Sequence, residues 1–274
     1  MTRSLSRLPP THAARRSPVA RAWWLGLLLL VPLAGQAAEC RPVAPDKPAA
    51  VKGQDFDRGL LWKLETPGSA PSYLFGTYHS NDPRITTLPC PVQEAFNRSS
   101  SYTMEVITNG AGIVSMAEAM FFSDGKTLMD VLGEPLYRET LRAVNASETG
   151  ATGSINNMKP WAVLMALSAP RAGRGLFLDV ALQYDATQRG KPTHGLETMQ
   201  EQIAVFNGMS LDDQVVLLRD AVQNVRLTQD AMEELTHAYL KRDLGALLAL
   251  NEKFKPNDAR VYAEMMDRLL VRRN

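Results

Sequence analysis

Two apolar periods divide the chain. "GLLWKLE" (59–65) and "PSYLFGTYH" (71–79) are short apolar runs on either side of the turn cluster "TPGSA", the pattern of a β-hairpin with a loop. "SYTMEVI" (101–107) alternates with a two-residue period, which puts Tyr102, Met104 and Val106 on one face and Thr103 and Glu105 on the other. Between these strands, "CPVQEAFNRSS" reads as a short helix with Pro91 in its first turn, where a missing N–H is harmless.

From about residue 112 the apolar spacing changes to three and four, the helical period. "VSMAEAMFF", "TLMDVLGEPLYRETLRAV", "MKPWAVLMALSAP" and "FLDVALQYDATQRG" all follow it, the last closed by Gly190. "KPTHGLET" (191–198) interrupts them as a short strand or strand end. Helices resume with "MQEQIAVFNGM" and "SLDDQVVLLRDAVQNV", where Ser210 and Asp213 form a capping box. Two further helices are expected near 227–241 and 243–253. The final segment, "NDARVYAEMMDRLLVRRN", opens on the cap residues Asn257-Asp258 and carries Val261, Met265, Leu269 and Leu270 on one stripe. These patterns predict an α/β class, with α+β as the alternative: a helix-rich domain around a small mixed sheet, without internal repeats.

The first residues are not expected to join that fold. Five arginines and no acidic residue precede the apolar run "AWWLGLLLLVPLA" (22–34), and the small-residue stretch "GQAAE" follows. This is the layout of a secretory signal peptide over 1–37, cleaved after Ala37. The rival reading is an uncleaved anchor, although a membrane span usually takes about 20 apolar residues. Glu39 before Cys40 argues against a lipoprotein signal. Residues 38–57, rich in Pro, Ala and Lys, read as a linker, and 58–274 as the folded domain.

Removal of the leader leaves 25 basic against 29 acidic residues, a net charge of −4. No basic, aromatic-rich segment marks a nucleic-acid partner. The mature chain holds no further candidate membrane span. Export, to the periplasm or beyond the cell, would place Cys40 and Cys90 in an oxidising compartment, where a disulfide between them is expected over two free thiols.

Four histidines are present. His12 belongs to the leader, and His237, in "MEELTHAYLKRD", to an ordinary helix face. His79 stands just past a strand, and Gly76 before it removes a side chain so that a backbone or ligand could approach. Imidazole serves both as metal ligand and as base near neutral pH, but a structural histidine fits the same place. Glu105 is a carboxylate within an apolar strand, costly if buried unless paired or metal-bound. If its strand lay beside 72–78, Glu105 and His79 would share a rim; an ion pair with an arginine such as Arg84 is the structural alternative. "THGLETMQEQ" gathers His194, Glu197 and Glu201 at a strand-to-helix junction, where first-turn acids are also favoured by the helix dipole. No HExxH pair, Walker loop, nucleophile elbow or dinucleotide fingerprint is present.

Taken in order, "LLWKLE…SYLFGTYHSNDPRITTLPCPVQEAFNRSSSYTMEV" and "KPTHGLETMQEQIAVF" resemble the TraB/GumN family, which includes the Tiki metalloproteases. The resemblance covers roughly residues 58–274. Gly76 and His79 match the family's first G-x-x-H, Glu105 its strand glutamate, and Glu197 and Gln202 its G-L-E-T…E-Q block. The resemblance implies an exported, peptidase-like hydrolase acting on a peptide or protein. It implies His79 and Glu105 as catalytic residues and His79, Glu105 and Glu197 around a divalent metal ion (Mn, Co or Zn), with Gly76 and Gln202 in support. Family members of other kinds leave a noncatalytic envelope protein as the alternative, binding a peptide, haem or a polysaccharide-related ligand. The family's second G-x-x-H has no match before Asn274, so the domain is expected to be incomplete at its C-terminal side.

Overall fold

The computed structural model of the chain describes residues 40–43, 58–146, 155–169, 175–253 and 255–272. The expected signal peptide, its cleavage site and most of the linker lie outside the described residues.

The hairpin forms as its pattern predicts. Strand β1 (Leu61–Leu64) pairs antiparallel with β2 (Ser72–Phe75), Leu61 opposite Phe75 and Leu64 opposite Ser72. A short helix α1 (Pro83–Thr86) and α2 (Cys90–Arg98) follow. Next comes β3 (Tyr102–Val106), whose half-buried Tyr102, Met104 and Val106 alternate with exposed Thr103 and Glu105. Its partner is not the hairpin. β3 pairs in parallel with β4 (Thr193–Glu197), Tyr102 opposite Thr193 and Val106 opposite Glu197. Among the described residues the strands therefore form two separate two-stranded sheets, one antiparallel and one parallel, and the condition that β3 lie beside 72–78 is not met. Parallel strands need a crossover, and the intervening helices provide a long one.

Those helices are α3 (Gly110–Ala119), α4 (Leu128–Ala146), α5 (Pro160–Ser168) and α6 (Leu178–Gln188). The single period read over 127–144 contains a kink, because Gly133 adopts a φ of 72° and Pro135 lacks an amide donor. After β4 come α7 (Met199–Asn207), α8 (Leu211–Gln223), α9 (Val225–Leu240), α10 (Leu244–Lys253) and α11 (Ala259–Met266), the last continued by a π-helical turn over Asp267–Val271. Ser210 accepts from the Asp213 amide as expected. The reciprocal capping box belongs to α7, where Thr198 accepts from the Glu201 amide and Glu201 accepts from the Thr198 amide. Among the described residues, no helix is long and apolar enough to cross a membrane.

Two apolar clusters do most of the packing. One joins α4, α5 and α8 through Leu128, Leu136, Val163 and Leu218. The other joins the hairpin, α1, α2, α6 and α9 through Leu60, Ile85, Val92, Leu178 and Tyr239. Cys40 and Cys90 are joined in a disulfide, with Cα atoms 4.8 Å apart. This fastens the segment 40–43 to the start of α2, where Arg41 and Leu88 also share a backbone hydrogen bond.

Candidate active site

The chain leaving β2 is anchored on both sides of His79. Gly76 donates its amide to the Leu60 carbonyl at 2.8 Å and accepts from the Tyr239 hydroxyl at 3.0 Å. Tyr78 packs against Tyr239, ring centroids 5.6 Å apart, and burial pushes its phenol pKa up. Ser80 and Asn81 are buried despite their polarity. Asp82 then caps α1, accepting from the Arg84 amide at 2.8 Å. Between these fixed neighbours the imidazole of His79 is 73% exposed. An exposed ring on a pinned backbone can meet a solute without rearrangement of the fold.

The second element of the site is the first turn of α6. Leu178, fully buried in the hairpin-side core, donates its backbone N–H to the Ser80 carbonyl at 3.0 Å. That contact brings Asp179, the next residue, under the loop. The Thr77 hydroxyl donates to Asp179 Oδ1 at 2.5 Å, and His79 Nδ1 lies 3.3 Å from Asp179 Oδ2. The Asp179 side chain is only 16% exposed. Its charge is felt nearby: burial raises the phenol pKa values of Tyr102 and Tyr239, and Asp179 raises both further. A carboxylate at a helix N-terminus is favoured by the partial positive charge there.

Gly76 does not serve the purpose expected of it. Its φ is not in the left-handed region, and an added Cβ would meet Leu60 Cδ2 at 3.6 Å, an ordinary contact. Its backbone, not its missing side chain, is what the structure uses.

Glu105 is exposed, on the open face of the parallel pair, and not buried as an apolar strand suggested. The reason is that only one face of this sheet is covered: Tyr102 packs into the hairpin-side core, while Leu196 on the open side is 78% exposed. Arg84 is not available to Glu105, being paired with Asp82 and Glu233. Glu197 stands opposite Val106, so it lies on the face away from Glu105. Gln202 reaches back from α7 and donates to Glu197 Oε1 at 3.0 Å, which unites those two residues of the expected block. Glu197 also lines a cleft of about 290 Å³ with Glu201, Arg268 and Arg272. Of the other histidines, His194 lies on exposed β4, and His237 is an exposed helix residue 3.7 Å from Glu233.

A bound transition metal ordinarily takes three or more protein donors. Among the described residues, no three His, Cys, Asp or Glu side chains converge closely enough to hold one. His79, Glu105 and Glu197 are thus not gathered into a single cluster, and the residues described do not fit a metal centre.

Nothing in the sequence marks Asp179 or Thr77 as site residues. Asp179 reads there as an ordinary acid in the first turn of "FLDVALQYD", and Thr77 lies 102 residues away from it. Only the docking of α6 beneath the loop makes them neighbours.

The sequence model of the TraB/PrgY/gumN family matches residues 60–274. The chain belongs to this family. Two curated relatives are both described as Metalloprotease TIKI2. The protein from Danio rerio is 27% identical over 207 residues, covering 65% of this chain and 39% of the relative. That from Xenopus tropicalis is 25% identical over 210 residues, covering 66% and 40%. The chain therefore spans about two fifths of the length of these curated relatives. No solved structure matches it. Within the family match lie His79, Glu105, Glu197 and Gln202, and also Thr77 and Asp179.

Proposed function

We propose that this chain is an exported, peptidase-like hydrolase in which His79 is the acting imidazole. The observation that carries the reading is the exposed His79 ring set over the inward carboxylate of Asp179, on a loop pinned at Gly76, Ser80 and Asp82. A neutral imidazole with one nitrogen open to solvent can take a proton from an attacking water and return it to a leaving amine. Supporting the substrate class are the metalloprotease names of the two relatives. In this proposal Glu105, exposed on the parallel pair, is the catalytic carboxylate. Glu197, held by Gln202, has a supporting role. The Cys40–Cys90 disulfide is in keeping with export. The proposal includes no metal step, because the described residues gather no three donors; the relatives' names are the reason for testing one.

The test is exposure of a denatured peptide mixture to the purified full chain, with mass spectrometry of the new peptide termini. It is run with chelator and with added Mn²⁺, Co²⁺ or Zn²⁺. Hydrolysis that disappears in His79→Gln, in a protein that still folds, is the expected result. Equal cleavage by His79→Gln would show that His79 is structural. Export is tested separately by the intact mass of protein recovered from the cell envelope, expected to begin at Ala38.

A second reading has its own observation. Leu60, Leu61, Phe75, Val92 and Tyr239, with Arg41 and Arg242, line a cleft of about 340 Å³. Apolar walls with a few cationic groups suit a small ligand, so a noncatalytic binding protein would bind in this cleft and cleave nothing. Absence of new termini together with retained ligand from cell extract, lost on Leu60→Trp, would favour it.

A further inference from the structure

Asp179 Oδ2 is buried and has no hydrogen-bond partner of good geometry. Leaving such an oxygen unsatisfied is destabilising, the more so when it is charged. Its companion Oδ1 is already occupied by the Thr77 hydroxyl. The side chain is therefore held from one end and cannot swing to seek another donor. His79 Nδ1, on an exposed ring, lies 3.3 Å from the orphaned oxygen.

The chemistry of the contact has one favourable form for a neutral ring. A bare Nδ1 would set its lone pair against the carboxylate, whereas a protonated Nδ1 donates to it. The hydrogen bond made by one ring nitrogen fixes the state of the other. We infer that Asp179 is the positioning residue of this site: it accepts from His79 Nδ1–H and so fixes the tautomer whose bare Nε2 faces solvent. Thr77 sets the orientation of the carboxylate, and the first turn of α6 supplies a favourable potential for its charge. The inference deepens the reading of His79 as the acting imidazole and rests on it for its functional meaning. Its structural content is measurable without any substrate.

The test is a long-range proton–nitrogen NMR spectrum of the ¹⁵N-labelled full chain near pH 8, where an ordinary imidazole is neutral. His79 is assigned by the signals that vanish in His79→Gln. The wild-type protein is expected to show Nδ1 protonated and Nε2 bare. In Asp179→Ala the acceptor is removed, and the ring is expected to lose its hold on the Nδ1–H tautomer. A wild-type ring already in the Nε2–H form, or a tautomer unchanged by Asp179→Ala, would overturn the inference. If Asp179→Ala fails to fold, the wild-type spectrum decides alone. Loss of the hydrolase reading with the expected tautomer present leaves the Asp179 assignment standing; the wrong tautomer removes it even if hydrolysis is found.

Discussion

The backbone N–H of Leu178 donates to the carbonyl of Ser80 at 3.0 Å, fastening the first turn of α6 one residue beyond His79. Leu178 itself is 1% exposed in the hairpin-side core. Core packing and site geometry therefore meet at one residue. Leu178→Ala should cost about 2–5 kcal/mol of stability through the cavity it leaves. It should also loosen Asp179 beneath His79, seen as a broadened or mixed His79 tautomer in protein that remains folded. Urea unfolding and the NMR spectrum measure the two effects; a fully retained tautomer in the destabilised variant would show that α6 is placed by other contacts.

Two glycines near the strands should respond to different extents. Gly76→Ala meets only ordinary contacts and should change stability by less than about 1 kcal/mol. At Gly195 an added Cβ would lie 3.1 Å from the Glu197 carbonyl oxygen and 3.2 Å from the Ile107 amide nitrogen, both backbone atoms. Gly195→Ala should therefore destabilise the parallel pair by about 1–3 kcal/mol. Thermal melts of both variants check the ordering.

Acid should weaken the fold through its paired carboxylates. Hydrogen bonds from Arg84 lower the pKa of Asp82 and of Glu233, and one from Arg260 lowers that of Asp213. With folded values below unfolded ones, their stabilising contribution is whole above about pH 5 and is lost as pH falls through the folded values. Urea midpoints should fall between about pH 5 and pH 3, and fall less steeply in Arg84→Gln, which removes the partner of two of the three groups.

Reduction of the Cys40–Cys90 disulfide, which spans 50 residues, should lower stability by about 2–4 kcal/mol. Unfolding of the oxidised protein beside Cys40→Ala/Cys90→Ala gives the value directly, and identical midpoints would show that the crosslink adds nothing.

The local parts of this fold are legible in the sequence. A two-residue period sorts Tyr102, Met104 and Val106 from Thr103 and Glu105, because alternation depends only on the strand itself. The hairpin is equally local, its two runs lying either side of one turn. What the sequence does not carry is which strand β3 chooses. That choice depends on how α3 to α6 return the chain, and it sends β3 to β4 and away from β2. One site expectation, a buried Glu105, fails as well. Glu105 is exposed because one face of the parallel pair is uncovered, and the burial inferred for it presumed a sheet covered on both sides. Asp179 escaped notice because an acid in a helix's first turn is commonplace, and its meaning comes from Ser80, Thr77 and His79 arriving from far along the chain.

The most direct test of the central claim, that His79 acts and Asp179 positions it, is a double-mutant cycle on peptide hydrolysis. The kcat/KM of the wild type, His79→Gln, Asp179→Asn and the double variant are compared on a substrate found from the new-terminus experiment. Residues that act as a unit are strongly non-additive. His79→Gln should lose about 10²–10⁴-fold, Asp179→Asn should lose less and chiefly in kcat, and the double variant should lose no more than His79→Gln alone. Multiplying losses, or an active His79→Gln protein, would contradict the account.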